Sequence, residues 1–115
     1  MESVKFRHRK GQILVQVAFM MVALLAFVAL ALDGGQIYAG RRRMQNAADA
    51  GALAGAREIC FGDPGQAEAA AREYAEDRNG AETAVVAVLD DYTVVVTASQ
   101  TLDTFFAGVI GIDTA

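Results

Sequence analysis

The sequence predicts a membrane-anchored α+β protein, in which a long N-terminal transmembrane helix continues outside the bilayer and carries a small head. Three observations predict this fold class. Residues 13–32 are uncharged and almost entirely apolar, and residues 33–60 continue at helical spacing without a proline. The remaining chain holds one short helical pattern, followed by two Val- and Thr-rich runs of alternating polarity. We therefore expect a second short helix and a small antiparallel β-hairpin in a head formed by residues 61–115.

The apolar run is long enough to cross a membrane. Residues 13–32 would form about 30 Å of helix at ~1.5 Å per residue, which is the thickness of a bilayer's hydrocarbon core. Gln16 is the only strongly polar side chain in the run. The chain thus divides into a basic leader over residues 1–11, a transmembrane helix over residues 12–32 and a helical extension over residues 33–60.

The charges are distributed unevenly along the chain. Residues 1–57 carry eight basic and three acidic side chains, whereas residues 58–115 carry two basic and eleven acidic ones. Because basic side chains precede the apolar run, the positive-inside rule predicts a single-pass protein with a cytoplasmic N-terminus and its head outside the cytoplasm. The basic residues lie beside the bilayer without interleaved aromatic residues, which argues against a nucleic-acid partner.

The N-terminal processing stays open between three outcomes. A signal peptide ending at Ala31 satisfies the small-residue rule, but the apolar run is longer than the usual core of about 7–15 residues. Cleavage after Gly11 would make Gln12 the first residue, as in a prepilin whose short basic leader ends in glycine. An uncleaved signal anchor is the outcome that we expect.

The helical extension combines a weak point with a stripe of small residues. Gly34 and Gly35 could break or kink the helix, because each glycine costs roughly 1 kcal/mol relative to alanine. Ala47, Gly51 and Gly55 follow one another at intervals of four, which lets another helix backbone approach closely. Two interpretations of this proposed helix-packing stripe stay open: it packs against the protein's own head, or it packs against another subunit.

The second helix has clear start and stop signals. Asp63 is a candidate N-cap, Pro64 suits the first helical position, and Gln66 is placed to close a capping box. Asn79 and Gly80 predict its end. The apolar stripe of this helix comprises Ala67, Ala70, Ala71, Tyr74 and Ala75.

The head is expected to end in a hairpin and a short covering segment. Residues 83–89 and 92–99 read as strands, with residues 90–91 as a two-residue turn. Residues 102–112 are apolar and predict a helical turn that covers the hairpin. Because a two-stranded sheet is marginal in water, we also expect its edge to accept a strand from a partner or a second copy.

The residues that commonly carry chemistry are absent or isolated. His8 is the sole histidine and lies in the basic leader, and Cys60 is the sole cysteine, so that no intrachain disulfide can form. Asp90 and Asp91 are adjacent in a predicted turn, which argues against a catalytic carboxylate pair. We therefore expect no enzymatic activity, catalytic residue, metal, cofactor or small-molecule substrate. The charged residues of the second helix read as a solvated face: Glu68, Arg72, Glu73, Glu76 and Asp77.

Four blocks of the sequence resemble a known family. They are Gly11 with Gln12, residues 31–38, residues 41–56 and residues 104–106. In these blocks the chain resembles the Flp/Tad pilus-assembly TadE/TadG-like proteins, and most of all the TadG-like N-terminal region. The resemblance implies a single-pass protein of the inner membrane that helps assemble a tight-adherence pilus for adhesion, without a cofactor. Its implied partners are other pilus-assembly proteins or pilins, and self-association.

Three functions remain under consideration. The first is an anchored assembly or structural factor of a Tad-type pilus, the second a filament subunit with the apolar helix in the fibre core, and the third a small membrane modulator unrelated to pili. Pilin-like members carry glutamate five residues after the cleaved glycine, where this chain has Gln16. This difference disfavours the filament interpretation. The mature N-terminus separates the first two functions, since Met1 indicates an anchor and Gln12 a filament subunit.

Overall fold

The computed structural model describes residues 10–90 and 92–111. These residues form an elongated molecule with principal extents of 100 × 22 × 21 Å. The predicted combination of a long N-terminal helix, a short second helix and a two-stranded antiparallel sheet is confirmed. In chain order the elements are α1 (Lys10–Phe61), a 3-10 turn (Pro64–Gln66), α2 (Ala67–Glu76), β1 (Thr83–Asp90), β2 (Thr93–Ser99) and a second 3-10 turn (Ala107–Ile110).

Helix α1 runs without interruption through Gly34 and Gly35. Its 52 residues correspond to about 78 Å of helix at ~1.5 Å per residue. The helix predicted over residues 11–60 is therefore confirmed, and the glycines do not break it. Each glycine costs about 1 kcal/mol, which the cooperative hydrogen bonding of a proline-free helix on either side absorbs.

The two halves of α1 have different surroundings. Over residues 13–32 the large apolar side chains are exposed, and no residue of the most apolar window is buried inside the molecule. Within the described residues, α1 is the one helix whose length and composition suit a membrane crossing, over Gly11–Phe61. From Asp33 onward the same helix acquires buried positions, because the rest of the chain packs on it.

The start of the second helical segment is only partly as predicted. Asp63 is the N-cap, since its Oδ1 accepts a hydrogen bond from the Gly65 N–H at 2.9 Å. The predicted capping box with Gln66 is wrong, because the Asp63 N–H donates to Glu58 Oε2 at 3.3 Å. Residues Pro64–Gln66 form a 3-10 turn, and the last turn of α1 supplies the acceptor that Gln66 was expected to provide.

Helix α2 ends at Glu76, and a turn over residues 77–79 leads to the predicted stop at Gly80. Gly80 has a positive φ of 71°, and its N–H donates to the Glu76 carbonyl at 2.9 Å. The Ala81 N–H reaches back to the Ala75 carbonyl at 3.0 Å, which satisfies a second terminal carbonyl. Asn79 closes this end, because its side-chain amide donates to the Tyr74 carbonyl at 2.7 Å.

The hairpin turn lies one residue later than predicted. The register pairs Thr83 with Ser99 and continues to Val88, which pairs with Val94, but then skips Leu89 and resumes between Asp90 and Thr93. The connection therefore comprises residues 91 and 92, not residues 90 and 91. Two features account for the later turn. The pairing of β1 with β2 skips Leu89, and the Tyr92 N–H donates a hydrogen bond to Asp90 Oδ1 at 2.8 Å. Asp91 itself lies outside the described residues.

Small side chains form the core between the helices and the sheet. α1 contacts both α2 and β2, and α2 contacts β1, so that one face of the hairpin is covered by two helices. The stripe predicted on α2 faces this core, with Ala70 and Tyr74 at its half-buried margin. The buried apolar residues are all alanines: Ala47, Ala67, Ala71, Ala75, Ala81 and Ala84.

The segment after β2 takes a path that differs from the prediction. It was expected to cover the hairpin, but it runs back along α1, toward the apolar half of that helix. Leu102 lies against Gly40, and the backbone at Phe105 and Phe106 reaches Asp33. The 3-10 turn Ala107–Ile110 also contacts α1. A carboxylate on α1 that accepts backbone hydrogen bonds provides the physical reason for this path.

Candidate functional site

Three surfaces of the described chain could carry function. We call residues 13–32 the apolar span, the residues Ala47, Gly51 and Gly55 the small-residue seam, and residues 100–111 the C-terminal strap. Among the described residues no group of three His, Cys, Asp or Glu side chains is placed to hold a metal ion. The candidate functional features of these residues are therefore contact surfaces.

Gly51 is the tightest point of the small-residue seam. A Cβ atom at this position would lie 2.7 Å from the Ala71 carbonyl oxygen, 3.2 Å from the Ala75 Cβ and 3.3 Å from the Val96 Cγ1. Real Cβ atoms do not approach a backbone oxygen this closely. α2 and β2 therefore both press on α1 at Gly51.

The other two residues of the seam lie in the same interface. A Cβ atom at Gly55 would lie 3.0 Å from the Val94 Cγ1 and 3.1 Å from the Ala67 carbonyl oxygen. Ala47 is fully buried. The structure thus places Gly51 and Gly55 against α2 and β2 of the same chain, one of the two arrangements left open by the sequence, and it buries Ala47 on the same face of α1. A contact between the seam and another subunit stays untested.

Asp33 ties the C-terminal strap to α1. Its side chain is buried, with 5% of the residue exposed. Its Oδ1 accepts from the Phe105 N–H at 3.1 Å, and its Oδ2 accepts from the Phe106 N–H at 3.0 Å. Hydrogen bonds to an ionised carboxylate are roughly twice as strong as neutral ones. The carboxylate next to the apolar span therefore fixes the position of two aromatic residues from the far end of the chain.

The absence of a side chain at Gly40 leaves room for Leu102 in the middle of the strap. A Cβ atom at this position would collide with the Leu102 Cδ1 and lie 3.3 Å from the Leu102 Cγ. Gly40 is buried, whereas Leu102 is half-buried between α1 and solvent. The strap thus depends on a residue without a side chain at this level of the helix.

The beginning of the strap is tied to the hairpin. The Thr101 N–H donates to Glu82 Oε2 at 2.8 Å. The hydrogen bonds from Thr101 hold the pKa of the Glu82 carboxyl below its ordinary value of 4.5. Because the bond favours the ionised form, the contact is present at neutral pH and is lost when Glu82 becomes protonated in acid. The described strap is therefore held at Glu82, Gly40 and Asp33.

Asp33 and Gly40 hold the C-terminal strap, and reasoning from the sequence missed both positions. Asp33, Gly40 and Ala47 follow one another at intervals of seven, so that they share one face of α1 with Gly51 and Gly55. This periodicity was the available signal, since buried positions recur on one side of a helix.

The remaining residues singled out from the sequence have simpler surroundings. Cys60 is a free, exposed cysteine in the last turn of α1, and Gly11 is exposed with open space around it. The uncleaved anchor stays our prediction, with cleavage between Gly11 and Gln12 as its alternative. Glu76 differs from its expected role on a solvated face, because its Oε1 accepts the Ala84 N–H at 2.7 Å and so binds α2 to β1. His8 lies outside the described residues.

Residues 11–58 match the model of the Tad family, whose description reads "Putative Flp pilus-assembly TadE/G-like". The resemblance to this family is confirmed over that segment, which covers nearly all of α1. No curated protein and no solved structure matches the chain. The match supports a pilus-related role, and the family is a pilus-assembly family, not an enzyme family.

Proposed function

We propose, from the match of residues 11–58 to a pilus-assembly family, that this protein is a single-pass membrane protein acting in the assembly or structure of a Tad/Flp-type pilus. The observation that carries the proposal is that the matching helix leaves its apolar span uncovered. Proteins in water rarely expose an apolar surface of this size, so the natural environment of the span is lipid. The helix then anchors the head at the membrane surface.

The charge pattern supports a cytoplasmic N-terminus in the inner membrane. Four basic side chains precede the apolar span, at Lys5, Arg7, Arg9 and Lys10. Basic residues close to a membrane helix are retained in the cytoplasm, whereas an acidic head is translocated with little resistance. The head would then work on the outer side of that membrane, where a pilus leaves the cell.

The head would act through protein–protein contacts. The outer face of the hairpin exposes large apolar side chains, among them Val85, Leu89 and Val95. Tyr92 at the tip of the hairpin is 87% exposed. Aromatic and aliphatic side chains at such positions are typical anchors of protein interfaces. Other pilus-assembly proteins, pilins or a second copy of the chain are the partners that we propose.

The proposal is tested in a host that assembles a Tad-type pilus and carries this gene. Deletion of the gene should abolish or strongly reduce surface pili, and the full chain supplied in trans should restore them. A reporter that is active only outside the cytoplasm, fused after Ala115, should be active. Normal piliation of the deletion strain would contradict the role, and activity of a cytoplasm-only reporter at the same position would reverse the topology.

A filament subunit is the second candidate. The observation in its favour is that, among the described residues, the buried positions of α1 lie at Asp33 and beyond, whereas the apolar half is exposed and could join a fibre core. Gln16, in place of the glutamate of pilin-like relatives, stands against it. Sequencing the mature N-terminus decides between the two, because a subunit processed after Gly11 begins at Gln12 and an uncleaved anchor retains Met1.

A further inference from the structure

We propose that the end of the C-terminal strap forms a second membrane contact, in which Phe105, Phe106 and Val109 enter the interfacial region of the bilayer beside α1. The proposal rests on the proposed membrane anchor. It adds that the head is attached to lipid at two points, so that its height above the membrane is fixed by the strap as well as by the helix. The partner of these side chains is bilayer lipid.

The strap reaches the end of the apolar span. Asp33 directly follows Leu32, the last residue of the apolar span. The amides of Phe105 and Phe106 lie 3.1 and 3.0 Å from the Asp33 carboxylate oxygens. Gly51, where the head packs, lies about 27 Å farther along α1 at ~1.5 Å per residue. The strap therefore carries two phenylalanines away from the head, to the level at which the hydrocarbon core would end.

The apolar side chains at the end of the strap are exposed to a large extent. Phe105 is 70% exposed, Phe106 is 47% exposed and Val109 is 85% exposed. The backbone of the strap is bound to α1, yet Phe105 and Val109 leave most of their surface uncovered within the described chain, and Phe106 leaves about half of its surface uncovered. Their surface continues that of the apolar span, which is itself uncovered. A bilayer around the span would bury both surfaces at once.

Asp33 accepts the backbone hydrogen bonds of the strap next to the end of the apolar span. Backbone N–H groups near hydrocarbon must be hydrogen-bonded within the protein, because water is scarce there. The Asp33 carboxylate supplies acceptors for two such groups. In return, the two amides satisfy a charge that is otherwise costly to place at the edge of lipid. The pairing thus suits a segment that lies at the bilayer boundary.

The residues that follow on α1 suit the headgroup region. Tyr38 is exposed, and it lies about 7 Å beyond Asp33 at ~1.5 Å per residue. Tyrosine is enriched at membrane–water interfaces. Arg41, Arg42 and Arg43 are exposed one turn later and complement anionic lipid phosphates. The level assigned to the strap therefore agrees with the side chains around it.

Tryptophan fluorescence tests this contact, because the chain contains no tryptophan. The full chain with Phe105→Trp is reconstituted in vesicles of phosphatidylcholine and phosphatidylglycerol, with or without lipids brominated near the carbonyl end of the acyl chain. We expect a blue-shifted emission that loses most of its intensity with brominated lipid. Tyr92→Trp, at the exposed hairpin tip, is the matched control and should keep its intensity. Val109→Trp repeats the test at a position whose exposure tolerates substitution.

A third variant separates the failure of this inference from the failure of the proposed anchor. Leu24→Trp places the probe at the centre of the apolar span, and lipids brominated deeper in the chain should quench it. Quenching at position 24 without quenching at positions 105 and 109 would overturn the membrane contact and leave the anchor standing. Absence of quenching at position 24 would overturn the anchor itself. Blue-shifted but unquenched emission at position 105 would show that protein covers the strap, which also overturns the proposal.

Discussion

At the level of single residues, one face of α1 binds the rest of the described chain. Some of its positions have no side chain, and one carries a carboxylate that accepts hydrogen bonds. Gly51 and Gly40 have no side chain, so that α2, β2 and the strap can lie directly on the helix backbone. Asp33, on the same face, accepts two backbone hydrogen bonds. The half-buried Ile37 and Met44 fill the spaces between these positions. A single helix face therefore combines one hydrogen-bonding position, Asp33, with positions of close approach farther along the helix.

Gly51→Ala tests the small-residue seam. The added methyl group would meet the Ala71 carbonyl oxygen, and overpacking of this kind costs about 1–3 kcal/mol. The substitution also gains about 1 kcal/mol of helix propensity, so we expect a net loss of up to about 2 kcal/mol in the stability of the head. Pulse proteolysis of the full chain in detergent micelles with increasing urea measures it.

Gly35→Ala is the matched control for the seam, because nothing lies within 4 Å of a Cβ atom at that position. It should leave the stability of the head unchanged or slightly raise it. Equal effects of the two substitutions would show that the seam has room for a methyl group, against the packing described.

Asp33→Ala tests the clamp on the strap. Hydrogen bonds to charged groups contribute about 1.5–3 kcal/mol, which corresponds to at least tenfold faster exchange of the amides that they protect. We expect this acceleration at Phe105 and Phe106, measured by hydrogen exchange on the full chain in micelles. Asp33→Asn, which keeps one oxygen acceptor, should give a smaller effect. Asp49→Ala, at an exposed position of α1, is the control, and an equal response to it would refute the clamp.

At the scale of elements, the hairpin is stable because two helices cover one of its faces. β1 packs on α2 and β2 packs on α1, although the sheet has only two strands. The Ala84 amide at the start of β1 is bonded to the Glu76 carboxylate, which closes that end of the strand edge. Farther along, Val85 and Leu89 are exposed. The remaining edge is the part of the head that a partner strand could extend.

Hydrogen exchange tests the prediction that this edge accepts a strand. In a dilute monomer in micelles, amides of β1 that do not pair with β2 should exchange fast beyond Ala84. They should become protected when the protein is concentrated or a pilus partner is added. The Ala84 and Thr101 amides, which donate to Glu76 and Glu82, should be protected in both states. Slow exchange along both strands in the dilute monomer would show that no added strand is needed.

At the scale of the whole molecule, the two ends of a 100 Å rod have different environments. Within residues 10–90 and 92–111, one end is an apolar helix whose large side chains are exposed, and at the other end the acidic head packs on the same helix. α1 belongs to both, since it is continuous from Lys10 to Phe61. A continuous helix transmits position and rotation between the ends, so the orientation of the head is linked to that of the span.

Leu24→Arg tests the anchor. A charge at the centre of a membrane helix costs about 2.5–3.5 kcal/mol on insertion scales. The rest of the span stays apolar, so we expect partial loss of membrane insertion, measured by membrane fractionation and by the reporter fused after Ala115. Tyr92→Arg, at the exposed hairpin tip, adds the same charge and should change neither. Unchanged fractionation and topology for Leu24→Arg would count against a membrane span at residues 13–32.

The helices and strands follow from local patterns in the sequence. The long helix, the short helix and the two strands were all predicted from hydrophobic period, and Asp63 and Gly80 were identified as the cap and the stop of the second helical segment. These features are local, since they depend on side chains within a few residues of one another. The family resemblance was likewise carried by contiguous residues, now matched over residues 11–58.

The contacts between these elements depend on the packing of the folded chain. The filling of the small-residue seam by α2 and β2, the shift of the hairpin turn by one residue and the path of the strap were not contained in any local pattern. The bonds from Phe105 and Phe106 to Asp33 join residues 72 and 73 positions apart. Contacts at such separations depend on the whole chain being folded, because each side chain gains a partner only after the elements between them have packed.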